Sequence, residues 1–253
     1  GKGFTGREFT QEKDSQEENS HRKRIHRKRI RRKRIHKERF TGKGEIGMKV
    51  LLVNGSPRAN GNTAAALQEM IRIFEEEGIE TTLLHIGNQD VRGCIACGSC
   101  SKTGKCCFDD VVNEAAKLLE EADGMVVGSP VYYASANATM IAFLDRLFFS
   151  MRYCDRTMKV GASVVSARRG GTTATYDELN KYFGISGMQI ASGQYWSAVH
   201  GWDPGEAYQD AEGMQQMRTL ARNMSFLMKS IQLGKEKYGL PEKEQPVRTN
   251  MIR

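Results

Sequence analysis

The segment Met48-Lys49-Val50-Leu51-Leu52-Val53-Asn54, stopped at Gly55, constrains the fold more than any other feature of the chain. An apolar run with no polar alternation suits a strand covered on both faces, and such strands belong to parallel sheets. A helix is expected next, because Ala65, Leu67, Met70, Ile71 and Phe74 recur at helical spacing and Gly78 follows Glu75-Glu76-Glu77. The alternation then repeats. Strands are expected over 79–86, 124–128, 159–166 and 188–195, helices over 109–121, 135–151 and 172–183, and a long methionine-rich helix over 205–238. Parallel neighbours need crossover connections, which these helices supply. The expected fold class is α/β, a doubly wound five-stranded parallel sheet with ligands beyond the carboxyl ends of its strands.

The net charge of +8 belongs to one end of the chain. Residues 1–47 hold 16 Lys and Arg against 7 Asp and Glu, whereas residues 48–253 hold 22 against 23. In the first segment His21-Arg22-Lys23-Arg24-Ile25 recurs at 26–30 and 31–35 and decays at His36-Lys37-Glu38-Arg39-Phe40. So little apolar content cannot offset the entropy of ordering, so a disordered basic tail is expected. Such an arm could neutralise nucleic-acid phosphates. Short perfect repeats also arise from translated repetitive sequence, and Lys43-Gly44-Glu45 can be encoded as AAA GGA GAG, a ribosome-binding sequence just ahead of Met48. The expectation is that residues 1–47 are not native coding sequence, that 48–253 is the domain, and that nucleic acid is not its partner. The tail lacks the apolar segment of a signal peptide, and the apolar stretch 140–151 is broken by Asp145 and Arg146. A cytoplasmic location with no membrane partner is expected.

Gly55-Ser56-Pro57-Arg58-Ala59-Asn60-Gly61-Asn62-Thr63 joins the first strand to a helix start, where free N–H groups and the macrodipole favour an anion. Ser56, Asn62 and Thr63 add polar donors and Arg58 adds charge. Neither the Walker loop nor G-x-G-x-x-G is present, so a single terminal phosphate fits better than a pyrophosphate. The alternative is a polar turn with Ser and Asn as caps.

With Val53-Asn54-Gly55-Ser56-Pro57-Arg58 and Gly61-Asn62-Thr63, the loop resembles the FMN-phosphate loop of the NADPH-dependent FMN reductase family. The resemblance covers nearly all of residues 48–253 and implies flavodoxin-like strand order 2-1-3-4-5. Gly128-Ser129-Pro130-Val131-Tyr132-Tyr133-Ala134-Ser135 resembles the family's segment beneath the flavin ring, so Pro130, Val131, Tyr132, Tyr133 and Ser135 are implied at the ring. Ser166-Ala167-Arg168-Arg169-Gly170-Gly171-Thr172 resembles the loop gripping its other side, implying Arg168, Gly170 and Gly171. Packing at a sheet edge and an ordinary helix start are the competing readings. The resemblance further implies FMN, NADH or NADPH as co-substrate, and a quinone, free flavin or other small-molecule or protein electron acceptor. A flavodoxin-like carrier without nicotinamide turnover is the rival. No Ser-His-Asp set is legible, and none is expected where flavin N5 carries the chemistry.

Cys94-x2-Cys97-x2-Cys100-x5-Cys106, with Cys107 adjoining, has the tight spacing of iron–sulfur ligation. It resembles the compact motif of the iron-sulfur flavoproteins, a branch of the same family. A [4Fe-4S] cluster, redox-active free thiols and zinc remain open, while structural disulfides are not expected in a reducing compartment. Cys154 stands apart as a plain thiol. The aromatic segment 195–202 could line the substrate pocket or cover a neighbouring subunit's flavin, or merely pack. Met214, Met217, Leu220, Met224, Leu227 and Met228 at helical intervals offer a face for the core or for a homo-oligomer.

Overall fold

The computed structural model describes residues 47–249 and 251–252. The expected tail, Gly47 apart, lies outside the described residues. β1 (Lys49–Asn54) sits between β2 (Glu80–His85) and β3 (Gly124–Tyr132), parallel to both. Beyond β3 lies β5 (Val160–Ala167), and beyond β5 the short β6 (Gln189–Ile190) and β7 (Ala198–His200), all parallel. The order β2-β1-β3-β5-β6 is the expected 2-1-3-4-5 order, with one further two-residue strand, β4 (Ser135–Ala136), folded back on β3.

Alternate residues of β1 enter opposite cores. Val50 and Leu52 pack with α1 (Asn62–Glu76) and α6 (Ala211–Tyr238). Leu51 and Val53 pack with α3 (Val111–Glu121), α4 (Ala138–Ser150) and α5 (Thr172–Ile185). α2 (Cys100–Thr103) is a single turn. Each large side chain so buried contributes about 1.5–3 kcal/mol, which makes the two-faced sheet the dominant stabilising element. Among the described residues no helix is long and apolar enough to cross a membrane.

Three expectations need correction. The fifth strand does not run through 188–195: it breaks after Ile190 and resumes at Ala198. Gln216 of α6 causes the break, because its Oε1 accepts from the N–H groups of Gln194 (3.0 Å) and Tyr195 (2.9 Å), replacing ladder bonds. The long helix 205–238 is a 3-10 turn, Glu206–Gln209, and then α6, divided where Asp210 caps α6 by accepting from Gly213 N–H at 2.8 Å. The helix expected from 135 starts at Ala138, because Ser135 and Ala136 pair with β3. The methionine face is consumed by the chain's own core: Met214, Met217, Leu220, Met224 and Met228 are all buried against the sheet.

Candidate functional site

The loop after β1 is built from nested turns. Asn54 Oδ1 accepts from Ser56 N–H at 3.0 Å, Ser56 Oγ accepts from Arg58 N–H at 3.2 Å, and Arg58 O accepts from Gly61 N–H at 3.1 Å. α1 then begins on Gly61 with no side-chain cap. Its first-turn N–H groups are left to an external acceptor, and the macrodipole adds positive potential. Neighbouring elements brace the loop. Asn137 Nδ2 donates to Gly55 O (2.7 Å), Gly55 N–H donates to Gly128 O (2.8 Å), and His85 Nε2 lies 2.7 Å from Ser56 O. A Cβ on Gly87 would stand 2.0 Å from Ser56 O, so only glycine lets the chain leaving β2 pass there.

The expected phosphate residues divide into two kinds. Ser56 is buried within the loop, and Arg58 is exposed with no side-chain partner among the described residues. The side chains of Asn62 and Thr63 instead fasten the loop: Asn62 Oδ1 accepts from Ala207 N–H at 3.0 Å, and Thr63 Oγ1 lies 2.7 Å from Ser166 Oγ on β5. What they can offer an anion is backbone N–H.

Past the sheet, β3 and β4 form a hairpin whose two turn residues, Tyr133 (φ 52°) and Ala134 (φ 61°), are both left-handed. Two-residue turns of this kind favour Asn-Gly, and an L-residue there costs roughly 1–2 kcal/mol. Strain of this kind collects at ligand loops. Glu178 of α5 holds the hairpin, accepting from Ser135 Oγ (2.9 Å) and Ala136 N–H (2.8 Å), so the Ser135 hydroxyl is committed to Glu178. Pro130 and Val131 are half-buried, Tyr132 is 49% exposed and Tyr133 projects fully.

The loop after β5 touches this hairpin. Gly171 (φ 93°) comes so close that a Cβ would lie 2.9 Å from Val131 Cγ1 and 3.0 Å from Ala134 Cα, while Gly170 faces open space. Gly171 also starts α5 without a side-chain cap. Arg168 places its guanidinium 4.7 Å over the Trp202 ring, and the exposed Tyr195 and Trp196 rings lie 4.8 Å apart. The segments leaving β1, β2, β3, β5 and β7 thus meet at one sheet edge, with backbone groups and exposed aromatics between them.

The cysteine segment forms a separate site, down the length of α4. Cys94, Cys97, Cys100, Cys106 and Cys107 all line one small, open cavity, together with Phe108, Arg146, Phe149 and Ser150. Arg146, at 1% exposure, donates twice to Asp110 (2.7 and 2.9 Å) and from Nε and Nη2 to Cys106 Sγ (both 3.3 Å). Burial alone would depress the guanidinium, but the bonds to Asp110 and Cys106 outweigh it and raise its pKa. Arg152 donates to Cys100 Sγ at 3.0 Å. Asn113 fixes Cys106 at both backbone groups, accepting from its N–H at 3.0 Å and donating to its O at 3.1 Å. The sulfurs of Cys97 and Cys107 lie 3.4 Å apart. Cys97 is drawn below the ordinary thiol range by the Ser99 N–H and then by Cys107, while Cys107 is pushed up by Cys97.

Sequence reasoning passed over Gly87, Asn137, Glu178 and Arg146. Arg146 carried a visible signal, since a charged residue three positions from Phe143 inside an apolar helix must find a buried partner. Among the described residues no three Cys, His, Asp or Glu groups are close enough to hold one metal ion. A four-iron cube sets an iron behind each thiolate, so its ligands must ring a cavity, as these cysteines do.

Fold and loops together define a doubly wound α/β protein with an uncapped helix start at its switch edge. The chain belongs to the NADPH-dependent FMN reductase family, which residues 48–203 match. An iron-sulfur flavoprotein of Methanocaldococcus jannaschii is 32% identical over 196 residues, covering 73% of this chain and 99% of the relative. One from Methanosarcina thermophila is 30% identical over 193 residues, 75% of this chain and the whole of the relative. The solved NAD(P)H:quinone oxidoreductase of Methanothermobacter marburgensis shares the fold, with a TM-score of 0.54 at 14% identity over 70% of this chain and 96% of its own.

Proposed function

We propose that this chain is an FMN-dependent oxidoreductase that takes electrons from NADH or NADPH and passes them, through a [4Fe-4S] cluster, to a one-electron acceptor. When bound, FMN accepts a hydride and the cluster exchanges single electrons. The uncapped N-terminus of α1, with Ser56 and Arg58, holds the flavin phosphate, and Asn62 and Thr63 supply N–H groups while their side chains keep the loop shut on the 3-10 turn at Ala207 and on β5. Pro130, Val131, Tyr132 and Tyr133 form a rigid wall for the ring, with Ser135 locking the hairpin to Glu178. Gly170 and Gly171 let backbone approach the ring's other side, and Arg168 holds Trp202 across the opening.

Cys94, Cys97, Cys100 and Cys106 are the proposed cluster ligands. Arg146 and Arg152 offset the charge of Cys106 and Cys100 as thiolates. α4 separates the two sites: Asn137 braces the phosphate loop at one end, and Arg146 stands nine residues on, about 13 Å along the helix. The single observation that carries the cluster is the convergence of five cysteines on one cavity, with guanidiniums donating to two of their sulfurs. Protein purified without oxygen should be yellow-brown and hold about four irons and as much acid-labile sulfide per chain, lost in Cys97→Ser. Anaerobic mixing with NADPH or NADH should bleach the flavin band. Bleaching without iron leaves the flavin reductase reading, with quinone or free flavin as acceptor, and iron without bleaching leaves a carrier. We also propose self-association through the exposed aromatic edge of Tyr133, Tyr195, Trp196 and Trp202. Sedimentation as a monomer at micromolar concentration would remove that part.

A further inference from the structure

Five cysteines line the cavity, and a cube takes four. With the ligands proposed above the surplus thiol is Cys107, and it lies 3.4 Å from Cys97. We propose that Cys97 and Cys107 are a redox-active dithiol, which closes to an intrachain disulfide when the cavity is empty and withholds Cys97 until it is reduced. The disulfide stands on geometry alone. Its effect on the cavity rests on the cluster reading above.

A disulfide needs its sulfurs about 2.05 Å apart, so the gap must close by little more than one ångström. The chain around Cys97 can supply that movement, since both flanking residues, Ala96 (φ 53°) and Gly98 (φ 72°), are left-handed and no regular element holds them. Both thiols are exposed, within reach of a small oxidant. Two of the competing sulfurs are already engaged by neighbouring side chains. Cys100 is buried with its sulfur against Arg152, and Cys106 is fixed by Arg146 on its sulfur and Asn113 on its backbone. The single turn α2 and left-handed Gly104 bring the chain back so that Cys107 meets Cys97.

With hydrogen peroxide as oxidant the chemistry balances. One sulfur attacks a peroxide oxygen, the O–O bond breaks, and a sulfenic acid and one water result. The other sulfur then displaces the sulfenic oxygen as a second water, and the S–S bond forms. Two S–H bonds are lost, two waters are made, and the dithiol has given two electrons to peroxide.

The test uses the full chain, stripped of iron by chelation without oxygen and then given one equivalent of hydrogen peroxide. Free thiols should fall by two, peptide mapping should join Cys97 to Cys107, and dithiothreitol should restore the count. In Cys107→Ser the Cys97 product should remain a sulfenic acid that dimedone labels. With ferrous iron and sulfide, oxidised wild type should take up no cluster until reduced, whereas Cys107→Ser, reduced, should load fully. An unchanged thiol count, or Cys97 joined to another cysteine, would overturn the proposal. So would a reduced Cys107→Ser that stays empty while reduced wild type loads, since Cys107 would then be a ligand. If the disulfide forms but neither reduced protein binds iron, the cluster reading fails and the dithiol stands.

Discussion

The two sites meet charge by opposite means. At the sheet edge proposed for the flavin, α1 and α5 start on Gly61 and Gly171 with no side-chain caps, so backbone N–H groups remain for a ligand. At the cysteine cavity, α3 is capped by its own Asp110, which accepts from Val112 N–H at 3.0 Å and is also gripped by Arg146. There the positive charge comes from side chains aimed at sulfur. A backbone cradle suits a phosphate held without any covalent bond to the protein, because its donors cost nothing to preorganise. A guanidinium against thiolates suits a permanent resident whose charge must be balanced within the fold.

The largest effect should follow from breaking the second arrangement alone. Arg146→Lys keeps the charge but loses the fork that joins Asp110 to Cys106. We expect a loss of about 2–3 kcal/mol, read from the urea midpoint at unchanged slope, with FMN affinity preserved. A loss below about 1 kcal/mol would mean that the cysteine segment is anchored elsewhere.

Gly87→Ala strikes the other side without touching any ligand-facing group. Its Cβ would need to occupy space 2.0 Å from Ser56 O, so the loop must move. Overpacking of this kind costs about 1–3 kcal/mol, and FMN affinity should fall about tenfold, or 1.4 kcal/mol, in a fluorescence-quenching titration. Iron content should not change. Equal losses of flavin and iron would erase the distinction between the sites.

The sequence made the backbone cradle legible and the side-chain site only half so. Unbroken apolar runs such as 49–54 reveal buried strands, and the loops that follow β1, β3 and β5 are local in sequence, so motif and place coincide. The cysteines were visible by spacing, but their partners were not: Arg146 and Arg152 reach Cys106 and Cys100 over 40 and 52 residues. The interrupted fifth strand was hidden for the same reason, because Gln216 acts on Gln194 and Tyr195 from 22 and 21 residues away. Periodicity reports what a segment prefers and is silent on a distant side chain that replaces its ladder bonds.

A smaller effect tests whether the helix layer behind the phosphate loop contributes. Glu69 on α1 accepts from Arg72 at 2.9 Å and from Arg218 of α6 at 2.8 Å. The Arg72 bond, working against burial and aided by Arg218, lowers the Glu69 pKa below the ordinary glutamate range. A depressed folded pKa gives stability that is present above the unfolded value and disappears as pH falls through the folded one. Glu69→Gln should therefore cost about 1 kcal/mol at neutral pH, and the difference from wild type should shrink to nothing in acid. A gap independent of pH would assign the loss to packing between α1 and α6.

The smallest expected effect has the opposite sign. Tyr133 is fully exposed, so little packing is lost on its removal, and its φ of 52° is a conformation glycine adopts freely. Tyr133→Gly should relieve about 1–2 kcal/mol of strain while adding about 0.5–1 kcal/mol of unfolded-state entropy. The net expectation is a gain of a few tenths to about 1 kcal/mol in urea unfolding. If the ring serves as a wall for flavin or its acceptor, FMN affinity or turnover should fall in the same variant. Lower stability together with unchanged flavin binding would show that Tyr133 is held by contacts within the hairpin, and that its left-handed backbone has no part in the site.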